Sequence, residues 1–258
     1  MDNRADHQAE AKAPQLRSAA PAIVLARPQM GENIGAAARV MANFGLSDLR
    51  ISAPRDGWPN EKADAMAAGG VAVVKSARVT GDFESAISDL TVIYAATART
   101  RDMEKPVLTP RAAMAQARAE IAQGGAPGFV FGAEASGLTN DEVALADAVL
   151  SIPVDAACSS LNLAQAVAVT AYEWMAGDPA PGGGEGPVPA PRDELLGLID
   201  QFEEALEAKN YFFPEHRAAT MRRNLRAALS RGGLTSQEVR SLRGALKALT
   251  RGEGPEGG

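Results

Sequence analysis

From Pro21 onward, short apolar runs closed by glycine, proline or polar residues alternate with alanine-rich stretches of helical character. AIVLA (22–26), LRIS, TVIYAAT (91–97), GFVFG (128–132) and AVLSI (148–152) are strand-sized. Helical stretches fall at 60–68, 82–89 and 110–122, and IGAAARVMANF follows the first strand after a polar, glycine-bearing turn. Short apolar strands alternating with helices predict an α/β fold, a mostly parallel sheet with helices on both faces. The first domain is expected at 21–177, behind a flexible leader at 1–20.

Two helix starts carry the capping-box spacing, Thr139 with Glu142 and Thr235 with Glu238. The segment 159–175 is long, apolar and proline-free, and is expected to be a largely buried helix. At 178–191, nine of fourteen residues are glycine or proline, which predicts a linker. Beyond it, Leu195, Ile199, Phe202 and Leu206 recur at helical spacing. A second helix around 217–229 offers Met221, Leu225 and Leu229, and a third at 236–250 offers Val239, Leu242, Leu246 and Leu249. Three helices over 192–251 make a marginal free-standing core, so packing against each other and against the main domain is expected. A flexible tail closes the chain at 252–258.

Charge sharpens this division. The whole chain of 258 residues is acidic, with 26 Lys and Arg against 32 Asp and Glu, which excludes a uniformly basic nucleic-acid coat. Residues 209–251 nevertheless hold ten Lys and Arg against Glu215 and Glu238 alone. A solvated surface or a phosphate-facing one would both produce this pattern, and the clustering on two helices favours phosphate. One cysteine, Cys158, excludes an intrachain disulfide, and with two histidines a zinc site is not expected; the metal expectation is none. The amino-terminal stretch has no apolar segment of signal-peptide type, and no run reaches transmembrane length. A cytoplasmic protein without membrane contact is expected.

Three segments could carry chemistry. The first is Arg27-Pro28-Gln29-Met30-Gly31-Glu32-Asn33-Ile34-Gly35 through Arg39, in which Asn33 is a plausible N-cap and the small residues allow close backbone approach. Its glycine spacing matches neither a P-loop nor a dinucleotide fingerprint, and a plain strand-to-helix connection with a surface arginine would look the same. The second, Gly132 to Thr139, directly follows an apolar strand, where open α/β sheets place ligands. Glu134 there could orient a substrate or an arginine, or be an ordinary loop carboxylate. The third runs from Ile152-Pro153 to Cys158-Ser159-Ser160-Leu161-Asn162-Leu163. Ser159 or Ser160 could cap the following helix. Cys158 is expected to be a buried small residue, since no base accompanies it.

Together these segments resemble the SPOUT superfamily, specifically SpoU-type RNA 2′-O-ribose methyltransferases. Asn33-Ile34-Gly35-Ala36-Ala37-Ala38-Arg39 is similar to the first family motif. Phe131-Gly132 through Glu134 with Gly137-Leu138-Thr139-Asn140 resembles the second, and Ile152-Pro153 with Ser159-Ser160-Leu161-Asn162-Leu163 the third. Ala96-Thr97-Ala98-Arg99, Met221-Arg222-Arg223 and Leu242-Arg243-Gly244 look like the bacterial subgroup acting on cytidine or uridine at nucleotide 32 of the tRNA anticodon loop. The resemblance covers roughly 21–250. It departs at Ala133, where the family usually has arginine.

The resemblance implies a trefoil knot at the carboxyl end of the catalytic domain, an obligate homodimer, S-adenosylmethionine as cofactor and tRNA as substrate. Its implied cofactor positions are Ala96, Thr97, Ala98, Gly132, Ile152, Ser159, Ser160, Leu161 and Asn162. The implied catalytic set is Arg39, Asn33, Glu134, Ser160 and Asn162, and Arg27, Arg222, Arg223, Arg226 and Arg243 are the candidates for RNA contact. Arginine is normally fully protonated, so orienting phosphate and hydroxyl suits Arg39 better than acting as a free base. The alternatives are the same chemistry on another tRNA site or on ribosomal RNA, and a non-catalytic RNA-binding protein on the same scaffold.

Overall fold

The computed structural model describes residues 20–97, 105–177 and 187–250. Seven strands form one sheet: β1 (Ala22–Ala26), β2 (Leu49–Ser52), β3 (Arg78–Thr80), β4 (Val92–Ala96), β5 (Val107–Leu108), β6 (Pro127–Phe131) and β7 (Ala148–Leu150). Their order is β3-β2-β1-β6-β4-β7-β5, and every neighbouring pair is parallel. The sheet therefore has the predicted α/β form. Its apolar runs are continuous because both faces are covered: Ile23 and Leu25 of β1 point into one core, and Ala22, Val24 and Ala26 into the other.

On the first face lie α1 (Gly31–Asn43), α2 (Glu61–Ala67), α3 (Val71–Lys75), α5 (Pro110–Ala122) and α7 (Leu163–Ala176), whose buried residues surround Tyr94, Phe129 and Leu150. Tyr94 and Phe129 stack at 4.8 Å between ring centroids. The second face is covered by α4 (Phe83–Ile87) and α6 (Asn140–Ala144), and then by the carboxyl-terminal helices α8 (Arg192–Glu207), α9 (Glu215–Ser230) and α10 (Ser236–Thr250). Leu195, Leu198 and Ile199 of α8 are buried in the same cluster as Phe83, Ile87 and Ile93, joined by Val239 of α10. The three helices thus pack both on each other and on the sheet. Most of the apolar surface that a free 60-residue bundle would lack is supplied by the α/β core.

A buried charge cluster fastens this junction. Arg192, the first residue of α8, pairs with Asp147 just before β7, and Asp147 also accepts from the Ile93 amide at 2.7 Å. Burial pushes the Asp147 carboxyl up against the pull of Arg192. Beside them, Lys105 donates to the carbonyls of Ala144 and Ala146 at 3.0 and 2.6 Å. Burial lowers its ammonium to about 8, against the attraction of Asp147.

Several expectations need correction. Asn33 does not cap α1: Met30 is the N-cap, and Asn33 lies inside the first turn. The helix expected from 159 begins at Leu163, because a 3₁₀ turn at Ala156–Cys158 precedes it and Asn162 is its cap, so neither Ser159 nor Ser160 has that role. That helix is only half buried; Val169, Tyr172 and Met175 are exposed along one face. Cys158 is exposed as well. Strands β3 and β5 were not foreseen, since each is a short edge strand with exposed positions and no apolar run. Both foreseen capping boxes form, at Thr139 and at Thr235. Among the described residues, no helix is long and apolar enough to cross a membrane. The leader through residue 19, most of the 178–191 linker, the 252–258 tail, Ala98 and Arg99 lie outside the described residues.

Candidate active site

The carboxyl ends of β4, β6 and β7 open into a cavity of about 370 Å³, within the usual size range of small-molecule pockets. Ala96, Phe131 and Leu150, the last residues of these three strands, form its floor, and Thr97, Gly132, Ile152 and Ser159 to Leu161 its sides. This is the ligand position expected at the ends of a parallel sheet. The wall is largely backbone and small side chains. The Thr97 amide donates to the Leu150 carbonyl at 3.2 Å, closing two of the strand ends on each other.

Glycine is required at one point in this wall. The loop after β6 folds back so closely that a Cβ on Gly132 would lie 2.1 Å from the Gly137 carbonyl carbon and 2.2 Å from the Leu138 nitrogen. Gly137 makes the return possible with φ +68°, and its amide donates to the Ala133 carbonyl at 2.7 Å. Ala133 points inward and is buried, so the loop has no room for the arginine usual in the family without rearrangement.

Two side-chain systems hold the loop. Arg27, at the end of β1, donates through Nε and Nη2 to both oxygens of Glu142, each at 2.8 Å, and through Nη2 to the Gly137 carbonyl at 3.1 Å. Glu142 also accepts from the Thr139 amide at 2.7 Å, so one carboxylate caps α6 and anchors the arginine. The hydrogen bonds that Arg27 donates to Glu142 hold its guanidinium above its ordinary range. In the second system, Glu134 accepts from the amides of Gln29 and Met30 at 2.7 and 3.2 Å and from Asn33 Nδ2 at 2.8 Å. Asn33 Oδ1 in turn accepts from Asn162 Nδ2 at 2.9 Å. Asn162 caps α7 by accepting from the Ala164 amide, also at 2.9 Å.

The three sequence segments therefore converge, though not every named residue reaches the cavity. Ala96, Thr97, Gly132, Glu134, Ile152, Ser159, Ser160 and Leu161 line it. Asn33 and Asn162 stand behind it as a linked pair. Arg39 is exposed, away from the cavity of its own chain, with the backbone of Gly70 packed against its Cα side. Arg27 holds the loop. Of the other arginines named for RNA, Arg222 pairs with Glu207 and lies over the Phe212 ring, Arg223 pairs with Asp141 at 3.0 Å and Arg226 with Glu203 at 2.7 Å. Arg243 donates to Gln201 at 3.3 Å. The double use of Glu142 was missed; its capping-box spacing was visible, but a partner 115 positions away leaves no local signal.

The model of the SpoU rRNA methylase family matches residues 20–172. The chain belongs to that family. Among solved structures, that of TrmJ from Z. mobilis ZM4 superposes with a TM-score of 0.83 at 46% identity, covering 90% of this chain and all of the other. The tRNA (cytidine/uridine-2′-O-)-methyltransferase TrmJ of Klebsiella pneumoniae is 34% identical over 235 residues, 88% of this chain and 95% of the relative. The tRNA (cytidine/uridine/adenosine-2′-O-)-methyltransferase TrmJ of Pseudomonas aeruginosa is 33% identical over 236 residues, 87% and 91% respectively. These similarities extend past the SpoU domain into the carboxyl-terminal helices.

Proposed function

We propose that this chain transfers a methyl group from S-adenosylmethionine to the ribose 2′-hydroxyl of cytidine or uridine at nucleotide 32 of the tRNA anticodon loop. The observation that carries the reading is the cavity at the strand ends, walled by backbone that only glycine at 132 permits. It agrees with the activity named for relatives matched over nine-tenths of their length.

The cavity suits this cofactor. Its backbone groups from Thr97, Gly132 and Ile152 offer donors and acceptors for an adenine and an amino-acid moiety, and Leu138, Leu150 and Leu161 offer apolar contact. The bound cofactor supplies an electrophilic methyl on a sulfonium. The protein's task is to orient the ribose hydroxyl in line with it and to ease development of the oxyanion. Ser160, on the cavity wall, can align the ribose hydroxyl by accepting a hydrogen bond from it, while the proton released on methyl transfer passes to water or to the adjoining RNA phosphate. Glu134, Asn33 and Asn162 fix the loop around the reacting group through their hydrogen-bond chain. Arg39 positions the nucleotide phosphate and stabilises negative charge on the ribose oxygen.

The exposed position of Arg39 fits this role in a homodimer, where Arg39 of the partner subunit serves the cavity. The face of α7 supports such an assembly: Val169, Tyr172 and Met175 recur three residues apart and are exposed, with Phe44 packed edge-on against Tyr172 at 6.2 Å. The proposed knot is supported by the insertion of β6 between β1 and β4 and of β7 between β4 and β5. Arg222, Arg223 and Arg243 are proposed to meet tRNA phosphates at the rim of the helical extension.

The deciding experiment is mass spectrometry of nuclease-digested tRNA after incubation with protein and methyl donor. The expected product is 2′-O-methylcytidine or 2′-O-methyluridine at nucleotide 32. Base methylation with an unmodified ribose overturns the reaction, and ribose methylation elsewhere overturns the site.

A further inference from the structure

The turn between α8 and α9 presents aromatic rings in a way that packing does not explain. Tyr211, Phe212 and Phe213 are consecutive, and their exposures are 53%, 7% and 77%. The middle ring is the anchor. Phe212 is buried, with the Arg222 guanidinium 4.1 Å above its centroid, and Tyr211 meets it edge-on at 5.4 Å. The backbone is fixed on the α8 side by the Tyr211 amide donating to the Leu206 carbonyl at 3.0 Å and the Asn210 amide to Glu207 at 2.9 Å. With Phe212 held inward, its two neighbours are held outward.

The surroundings indicate what such rings meet. Lys209 and Arg217 flank them and are exposed, as are Asn210, Glu215 and His216. From Lys209 to Arg231 the chain has six Lys and Arg and one acid, Glu215. Two rings in a cationic and polar setting are too small an apolar area for a stable protein interface, which needs about 800 Å² per partner. Among the described residues between Met175 and Leu249, Tyr211 and Phe213 are the only exposed large apolar side chains, which distinguishes the patch from a membrane-inserting face. Rings beside cations are what unpaired nucleotides bind: bases stack on the π-faces while the charges track the backbone. The turn is also connected to the cavity. It opens α9, and about 12 Å further along that helix, at 1.5 Å per residue, Arg223 pairs with Asp141 of α6. Helix α6 begins just after Leu138, a residue of the cavity wall.

We propose that Tyr211 and Phe213 form a stacking platform for unpaired nucleotides of the tRNA substrate. The inference rests on the tRNA reading above and adds to it a sequence-tolerant contact outside the cavity. Tyr211→Ala and Phe213→Ala are each expected to weaken whole-tRNA binding about tenfold, the usual scale for loss of one base–aromatic stack. Affinity for S-adenosylmethionine should not change. The slope of log affinity against log salt should also stay constant, because a lost stack releases no counterions. Phe213→Tyr should restore binding and Phe213→Leu should not, which separates stacking from simple apolar contact.

Filter binding at several salt concentrations, calorimetry with the cofactor and circular dichroism of each folded variant provide the readouts. In addition, Phe213→Trp gives an indole whose fluorescence should be quenched on titration with tRNA. If wild-type protein neither binds nor methylates tRNA, the functional reading fails. If it does both and the alanine variants bind tRNA as tightly as wild type, the platform alone is refuted. Rescue by Phe213→Leu, or a reduced salt slope, likewise refutes stacking. So does loss in the variants of wild-type self-association, or of binding to vesicles of mixed neutral and anionic phospholipid, while tRNA affinity is retained.

Discussion

Arg27 and Glu142, 115 positions apart, face each other through two hydrogen bonds of 2.8 Å, with the arginine side chain about one-third exposed and the glutamate nearly buried. The pair closes the loop that carries Gly132 and Glu134 against the end of β1. The resemblance implies an arginine in that loop; here position 133 is a buried alanine, and the cation reaches the loop from the end of β1. Arg27 thus positions the loop that lines the cavity.

Arg27→Ala should destabilise the fold by about 1.5–3 kcal/mol, the scale of a charge-assisted hydrogen bond lost at a nearly buried carboxylate. It should also raise the dissociation constant for S-adenosylmethionine. Arg27→Lys should recover only part of both, because an ammonium cannot make the two parallel bonds. Urea unfolding and calorimetry measure the two effects. Full cofactor affinity in a folded Arg27→Ala protein would show that the loop holds its shape without the clamp.

Gly132→Ala should abolish cofactor binding while leaving most of the secondary structure intact. The added methyl would sit 2.1 Å from backbone that is itself fixed by Gly137, so no side chain can give way. Calorimetry with S-adenosylmethionine decides this, and circular dichroism checks the fold. Near-native affinity would place the cofactor elsewhere.

Strands β1, β4 and β6 and helices α5 and α10 were legible in the sequence because each has a long, regular pattern bounded by clear breakers. Edge strands β3 and β5 were not, since their positions face solvent and hydrogen-bond on one side only. The start of α7 was misplaced for a chemical reason: Ser159, Ser160 and Asn162 are all good caps, and only the fold selects Asn162, whose amide nitrogen donates to Asn33 while its amide oxygen caps the helix. Residue types at the cavity were recognisable from the motifs. The Arg27–Glu142 clamp and the turn of Arg39 away from its own cavity depend on long-range packing that no local spacing encodes.

Asn33 and Asn162 should be energetically coupled. Each single alanine variant removes the 2.9 Å bond between them, and Asn162→Ala also removes the α7 cap, so Asn162→Ala should cost more, about 1–2 kcal/mol. A double-mutant cycle on unfolding free energy should give a coupling of about 0.5–1.5 kcal/mol. Strict additivity would mean that the two side chains act independently.

Lys105 predicts an alkaline gain in stability. Its folded-state value near 8 lies below the ordinary 10.5, so between these limits the unfolded chain binds more protons than the folded one. Stability from this group therefore rises as the pH increases from about 8 to 10.5 and is flat below 8. The full effect is on the order of 3 kcal/mol. Lys105→Met should lack that increment, so the difference between the two proteins in urea unfolding should narrow or widen with pH only across this window. Equal slopes for both would show that Lys105 titrates normally.

Arg39→Ala should leave fold and cofactor affinity unchanged, because the side chain is exposed and lies outside its own cavity. Methyl transfer in single turnover at saturating tRNA should fall ~100- to 1000-fold, by analogy with the loss of an oxyanion donor worth about 2.7–4 kcal/mol. The proposed homodimer makes a second demand on the same variant. If Arg39 serves the partner's cavity, mixing Arg39→Ala protein with Gly132→Ala protein creates mixed dimers in which one site has both an intact cavity and an intact arginine. Random exchange would make half the dimers mixed, with one such site each, so activity should return to roughly a quarter of wild type. Exchange is verified independently by mass spectrometry of differently tagged subunits. No recovery under complete exchange would place Arg39 at its own subunit's cavity, through a movement of α1, or remove it from catalysis. Sedimentation equilibrium separates these from a third outcome, since a fully active monomer would overturn the shared site altogether.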